Sequence, residues 1–299
     1  MYSYEVWQWF LFFYIYCFLG WIWETVYVSA KSGHFENRGF MNGPFLPIYG
    51  SGAIVILFAT LPVRTNAILV FLFGMIAATV LELFTGIAME RLFHVRYWDY
   101  SYRKIQYKGH ICLVSSIAWG VFSCLMIFGF HNPIEKMVLS IHDTVGQTIT
   151  MILTFINTAD FATSFKTALE LKNMLITADD IKKQIDKLER RAEIIEVFMA
   201  DSAEKARDKA VEELKEHMAD VIDKLIETKE EAQAELNKIK RDREEKLFIL
   251  TEKLSENKAV SDLLKRNPTS VSKGHDNVLN AYKEQFLDSV HNMKERLNK

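Results

Sequence analysis

Five apolar runs limit what this chain can fold into. They cover roughly residues 6–28, 44–61, 67–89, 111–130 and 144–168. A membrane span needs about 20 apolar residues, and a bent or short helix needs fewer. The run at 67–89, AILVFLFGMIAATVLELFTGIAM, meets that length with one carboxylate, Glu82, inside it. The first run is too long and too aromatic for a cleaved leader, and it lacks a basic start and a small-residue cleavage site. We read it as a retained helix. Trp7, Trp9, Trp21 and Trp23 lie near its ends, where amphipathic rings favour the interface. The second run starts at Pro44 and carries Pro47, Gly50 and Gly52, which fits either a kinked span or a re-entrant element. The fifth is rich in Thr and interrupted by Asp160. The expected fold is all-α: a polytopic transmembrane bundle of about five spans, followed by a charged coiled-coil tail.

The whole-chain charge hides this division. Lys+Arg is 36 and Asp+Glu is 38, for a net charge of -2 over 299 residues. Residues 1–170 hold 10 of each sign, which leaves 26 basic and 28 acidic residues for 171–299. The sequence therefore divides into a transmembrane domain at 1–168, a long amphipathic helical region at 169–266 and a short C-terminal helical segment at 267–299. In the middle region Ile181, Ile185, Leu188, Ala192, Ile195 and Met199 step by fours and threes, as a heptad seam does. Leu214, Met218, Val221, Leu225, Thr228 and Ala232 form a second seam, and Leu236 breaks its register by one residue. Leu247, Leu250 and Leu254 resume the pattern; Asn267-Pro268-Thr269 ends that helix, and 276–297 reads as a last short one. An extended stalk and a folded-back hairpin both fit this pattern.

Composition excludes some classes. With 5 Pro, 13 Gly and 21 Phe the chain is neither collagen-like nor wholly disordered. The balanced charge gives no argument for a nucleic-acid partner. Cys17, Cys112 and Cys124 all fall in apolar runs and read as small packing residues, not as a disulfide framework.

Basic residues orient the spans, because they mark the cytoplasmic side. Loop 31–43 has Lys31 and Arg38, and loop 90–110 has Arg91, Arg96, Arg103, Lys104 and Lys108. Loops 62–66 and 131–143 have one each, Arg64 and Lys136. The expected topology puts the N-terminus outside and the tail in the cytoplasm of a multi-pass plasma-membrane protein. Ionisable groups inside a membrane are expensive and usually serve a site. This topology gathers Glu24, Asn37, Arg38, Glu82, Glu90, Arg96, Asp99, Tyr100 and Asp160 at the inner leaflet as candidates for substrate binding or a polar network. Bland readings stand beside the functional ones. Glu24 and Arg38 fit a fold-fixing ion pair, Glu90 and Arg91 fit interfacial snorkelling, and Trp98 and Tyr100 fit belt aromatics. His34, His94 and His110 read as interfacial residues, and no ligand spacing resembles a defined zinc site. Arg38 with Gly39 and Gly43 could present backbone N–H groups to an anion, or the glycines could simply permit tight turns.

Some chemistries have no signature here. There is no G-x-x-x-x-G-K-[ST], no G-x-S-x-G and no H-E-x-x-H. Ser115 and Ser116 lack a partnered base recognisable from sequence.

The run FLG-W-WE at 18–24, ENRGF-NGP-LPIYG-GA at 36–53, LE at 81–82, ME at 89–90, R-WDYS at 96–101 and G-IC---S--WG at 109–120 resembles the ABC-transporter type IV family of bacterial membrane proteins. The resemblance covers about 1–165, and KRNPTSVS at 265–272 is a weaker echo of a family element. The resemblance implies a polytopic permease. The matching positions include Glu24, Asn37, Arg38, Glu82, Glu90, Asp99 and Tyr100, with Gly39, Gly43, Pro44, Pro47, Tyr49, Gly50, Trp98, Gly109 and Trp119 as structural motif residues. His110 stands where the resemblance implies Arg or Lys. The partners it implies are the lipid bilayer and a separate ATPase subunit docking on loop 90–110. ATP would act only through that subunit, and no other cofactor is implied. A homo-oligomer or a coiled-coil partner is expected from the small number of spans. Two other functions compete: an inner-leaflet enzyme using a metal on a phosphate-bearing lipid, with Glu82 or Asp99 as base or ligand, and a scaffold or sensor acting through the tail.

Overall fold

Helices dominate this computed structural model, which describes residues 4–212, 230–242, 244–246, 257–272 and 279. In chain order the elements are α1 (Val6–Ser32), α2 (Pro47–Thr60), α3 (Ala67–Phe93), β1 (Gln106–Tyr107), β2 (Ile111–Cys112), α4 (Leu113–Leu125), α5 (His131–Leu139) and α6 (Asp143–Glu212). A short helix, Lys258–Arg266, follows. The chain forms two compact units, one of Met1–Lys172 with Lys258–Lys299 and the other of Asn173–Asn257.

Among the described residues, three helices are long and apolar enough to cross a membrane: Val6–Ser32, Ala67–Phe93 and Leu113–Leu139. Each is 27 residues, about 40 Å at 1.5 Å per residue. α3 starts where Asn66 Oδ1 accepts hydrogen bonds from the N–H groups of Ile68 and Leu69, which otherwise have no intrahelical acceptor. It stops at His94, whose φ of 57° is left-handed. The third rod is longer than its sequence suggested. A helix end at 130 and a loop over 131–143 were expected, yet the helix runs on through Leu139 by way of a π turn at Met126–Phe130. Pro133 cannot donate a hydrogen bond four residues back, and a wider turn just before it accommodates its ring.

α2 with its 3-10 turn, Pro47–Val63, is a shorter apolar helix. It lies between α1 and α3, and α3 packs on α4. Apolar burial does little to join helices in lipid, so close packing must do it. Phe12, Leu57, Val70 and Val138 are the fully buried residues at this centre, while Ile68, Ile76, Val80 and Phe84 face outward along α3.

Between α1 and α2 the chain folds back along α1. Trp21 Nε1 donates to Asn37 Oδ1 at 2.7 Å, Arg38 N to Thr25 Oγ1 at 3.4 Å, and Leu46 N to the Cys17 carbonyl at 3.1 Å. Cys17 lies about 22 Å before the end of α1 along its axis. The segment before α2 is therefore an irregular return strand that leads into a short helix.

α6 begins beside the start of α1 and runs along it. Thr150 Oγ1 donates to the Trp7 carbonyl, Tyr14 donates to Thr154 Oγ1 at 2.9 Å, and Asp160 meets the return strand. In the second unit the continuing α6 is bridged to residues 230–246 by Arg191–Glu235 and Lys240–Glu196 ion pairs. Ile185, Leu236 and Ile239 are buried there. Ile181, Leu188, Ala192 and Ile195 are half-buried. The Met199 side chain, residues 214–228 of the second seam, Leu247, Leu250, Leu254 and all of 276–297 but Leu279 lie outside the described residues. The helix Lys258–Arg266 ends at Asn267-Pro268, as the sequence indicated.

Candidate functional site

Glu82 sits on α3 about 16 Å inside its C-terminal end and is 5 % exposed. A carboxylate buried there needs donors, and three elements supply them. Tyr100, from the loop after α3, donates to Oε1 at 3.1 Å. On α4, Trp119 Nε1 donates to Oε2 at 3.1 Å and Ser115 Oγ approaches the same oxygen at 3.3 Å. No Lys or Arg is ion-paired with it among the described residues. Burial, and then the neighbouring Glu82 carboxylate, push the Tyr100 phenol above its ordinary range. Tyr100 and Trp119 therefore belong to this network. The Trp98 indole N–H donates to the His110 carbonyl at 2.9 Å.

A second group lies about two helical turns further along α3. Glu90 meets Arg96 Nε at 2.9 Å and His110 Nε2 at 3.0 Å. The Arg96 contact is an ion pair by distance, but its N–H does not point along a hydrogen-bond line. Arg96 also reaches Asp99 Oδ1 at 3.4 Å. Burial pushes the Asp99 carboxyl up, but the Ser101 hydroxyl and N–H and the Arg96 guanidinium outweigh it, so it ends below the usual carboxylate range. Two glycines make the group possible. A Cβ on Gly86 would lie 2.9 Å from His110 Nδ1, and one on Gly109 would lie 2.4 Å from Asp99 Oδ1. Gly109 also has φ of 76°, which a side chain disfavours. His110 is 4 % exposed and paired, so it is a buried member of the site and not an interfacial residue.

The return strand carries the third group. Arg38 Nε lies 3.8 Å from Glu24 Oε2, and Tyr49, on α2, donates to Glu24 Oε1 at 2.7 Å. The Tyr49 ring lies 6.3 Å from that of Trp119, which places this group beside the Glu82 network. Asp160 closes the strand from α6: it accepts from Gly43 N at 2.7 Å, Asn42 N at 3.1 Å and Asn42 Nδ2 at 2.9 Å. The backbone N–H groups that could have held an external anion hold this carboxylate. Gly39 has φ of 118°, which supports the tight-turn reading of the glycines. Asn37 braces the strand by donating to the Asn42 carbonyl. Pro44 and Pro47 flank the Leu46 amide that bonds to α1, and Gly50 lets α2 approach Cys17.

Decisive partners also come from far along the chain. Residues 266–272 strap across both loops. Arg38 Nη1 donates to the Arg266 carbonyl and Asn267 Nδ2 to that of Gly39. Arg96 and Val271 exchange two backbone hydrogen bonds at 2.7 and 2.9 Å, and Ser272 Oγ donates to the His94 carbonyl. The KRNPTSVS echo is thus a docked structural element of the site.

These groups occupy the positions of the sequence resemblance, and comparison with known proteins agrees. The family described as "Putative ABC-transporter type IV" matches residues 11–165. The chain belongs to this family. No curated protein and no solved structure matches it. The matched region spans α1 to the first part of α6, so all three carboxylate groups are family territory, whereas the 266–272 strap lies beyond it.

Most candidates named from sequence lie toward the end of the bundle where α1 and α3 finish, with Glu82 about 16 Å deeper on α3. Missing from that list were His110, Ser115, Trp119 as a donor, and the strap. The signal for His110 and Trp119 was their place in the family string; nothing local indicated the strap's contacts. A second polar cluster also escaped notice: His131 and Glu135, one helical turn apart on α5, meet Tyr4 and Tyr16. Among the described residues no group of three or more His, Cys, Asp or Glu is placed to hold a metal ion.

Proposed function

We propose that this chain is the membrane-embedded permease component of a bacterial transport system, and that its substrate engages the Glu82 network from the cytoplasmic side. Glu82 carries this reading. It is a buried carboxylate inside a membrane-length helix, held among the described residues by neutral donors and flanked in space by the irregular backbone of the return strand and the loop after α3. Transporters place sites on such backbone because protein, not lipid, then satisfies the freed polar groups. Glu24, Arg38 and Tyr49 form one wall of the site. Glu90, Arg96, Asp99 and His110 hold the loop that presents Tyr100. Asn37 and Asp160 fix the return strand.

The topology that suits this function has five crossings, with α2 as a short one and the start of α6 as the fifth. Its support is the path of α6, which covers about 21 Å between Gly146, packed on Trp7, and Asp160, bonded to Gly43. The two base-rich loops and Asp160 share one end of the bundle, and positive charge favours the cytoplasm for that end. Five crossings are few for a solitary carrier. We place the protein in a homo-oligomer or with a partner bound by its helical tail, energised by a separate ATPase subunit.

The test is to purify the full chain from native membranes and to measure transport in cells that lack it. A stoichiometric ATP-hydrolysing partner, and a deletion phenotype rescued by wild type but not by Glu82→Gln, are the expected results. A complex without ATPase that turns over a phosphate-bearing lipid, with that turnover lost in Glu82→Gln, would overturn the transport reading in favour of a membrane enzyme.

A further inference from the structure

The loop between α3 and α4 has an outer surface that the site does not use. Its hairpin pairs Gln106 with Cys112 and Tyr107 with Ile111. The inner side is occupied: Gly109 and His110 are buried against α3 and the Arg96–Asp99 pair. The outer side alternates rings and cations. Tyr102, Ile105 and Tyr107 are 73, 65 and 52 % exposed, and Arg103, Lys104 and Lys108 are exposed between them. No acidic residue occurs from 100 to 112, and among the described residues no carboxylate is ion-paired with these three cations. Arg103 lies over the Tyr102 ring at 5.0 Å and Lys108 over that of Tyr107 at 5.5 Å.

The position of this surface identifies its occupant. Leu113 N, at the first residue of α4, donates to the Ile105 carbonyl at 3.1 Å. Ile105 is therefore level with the start of a membrane-length helix. Its side chain is exposed at that level, as are those of Leu113 and Val114. Amphipathic rings and Ile at that level suit the boundary between headgroups and acyl chains, and cations among them suit negative headgroups.

We infer that residues 102–108 form an interfacial anchor that binds the surface of an anionic bilayer through Arg103, Lys104 and Lys108, with Tyr102, Ile105 and Tyr107 immersed at its edge. This rests on the reading of α3 and α4 as membrane crossings. The anchor pins the loop that carries Tyr100 and His110, so lipid charge reaches the Glu82 network through covalently adjacent residues. Each cation near an anionic surface strengthens binding about fivefold, and molar salt shrinks the screening length to about 3 Å.

The test follows hydrogen exchange of the full chain in nanodiscs of phosphatidylcholine alone and in nanodiscs with one-third phosphatidylglycerol. The expected result is exchange over 102–108 slowed at least fivefold by phosphatidylglycerol, reversed by molar salt, and absent in the R103Q/K104Q/K108Q variant at unchanged melting temperature. Equal exchange in both lipids, with α3 and α4 protected in each, overturns the anchor and leaves the crossings standing. Unprotected α3 and α4 overturn both. Protection that appears only when a purified ATPase partner is added, whatever the lipid, overturns the anchor and makes the surface a protein-docking site.

Discussion

Replacing Trp119 by Phe removes one hydrogen bond from Glu82 and keeps the ring position beside Tyr49. The indole N–H can only donate, and Glu82 Oε2 is its acceptor at 3.1 Å. Ser115 remains on that oxygen at 3.3 Å but also donates to the Cys112 carbonyl at 2.9 Å, so it is a shared and weaker substitute. A hydrogen bond to a charged group contributes about 1.5–3 kcal/mol and a neutral one about 0.5–1.5. Trp119→Phe should therefore destabilise the wild type by about 1.5–3 kcal/mol, plus a small loss of ring contact. In a Glu82→Gln background the same change removes only a neutral bond, and the ring contribution cancels in the comparison. The cycle should give a coupling of about 1–2 kcal/mol. It can be measured by unfolding the four proteins in mixed detergent micelles. Additivity within about 0.5 kcal/mol would show that Glu82 is not a charged acceptor for Trp119, and the site argument would fail.

Three further outcomes follow from the geometry. Gly50→Ala puts a Cβ 2.4 Å from Cys17 Sγ and 2.6 Å from the Phe13 carbonyl, whereas Gly52→Ala meets nothing within 4 Å. The first should lower stability by about 1–3 kcal/mol and the second should be neutral or gain up to about 1; equal melting temperatures would contradict this packing. Asp99 is held below the usual carboxylate range, so its contribution is complete above an unfolded pKa of about 3.9 and is lost as pH falls through the lower folded value. The melting-temperature advantage of wild type over Asp99→Asn should be flat above about pH 5 and shrink below about pH 4; an advantage that grows on acidification would reverse the assignment. Asn267→Ala removes the donor to the Gly39 carbonyl from a buried side chain. At about 1–3 kcal/mol it should raise protease cleavage within 266–272 roughly tenfold with little change in global melting, and unchanged cleavage would mean that the strap is held by other contacts.

Much of this protein is local information. Three membrane-length helices were legible because about 20 apolar residues in a row have few other destinations. Glu82 stood out because a lone carboxylate among Leu81, Leu83 and Phe84 conflicts with that environment. The shared end of Glu24, Glu90 and Arg96 followed from counting helix ends. What one residue's neighbours along the chain cannot encode is which distant atom meets it. Residues 131–143 read as a loop because the apolar run ends at 130; the helix instead runs on through Leu139 by way of the π turn. His110 read as interfacial, because nothing nearby in sequence shows that Gly86 leaves room for it against α3. Arg96 meets Val271 across 175 positions, and Asp160 takes the two amides that an anion would have used. Apolar length and an isolated charge are properties of the chain itself, so the sequence determined the membrane-length helices and the carboxylate inside one of them. Hydrogen bonds require particular atoms within about 3 Å, and only the tertiary structure decided those.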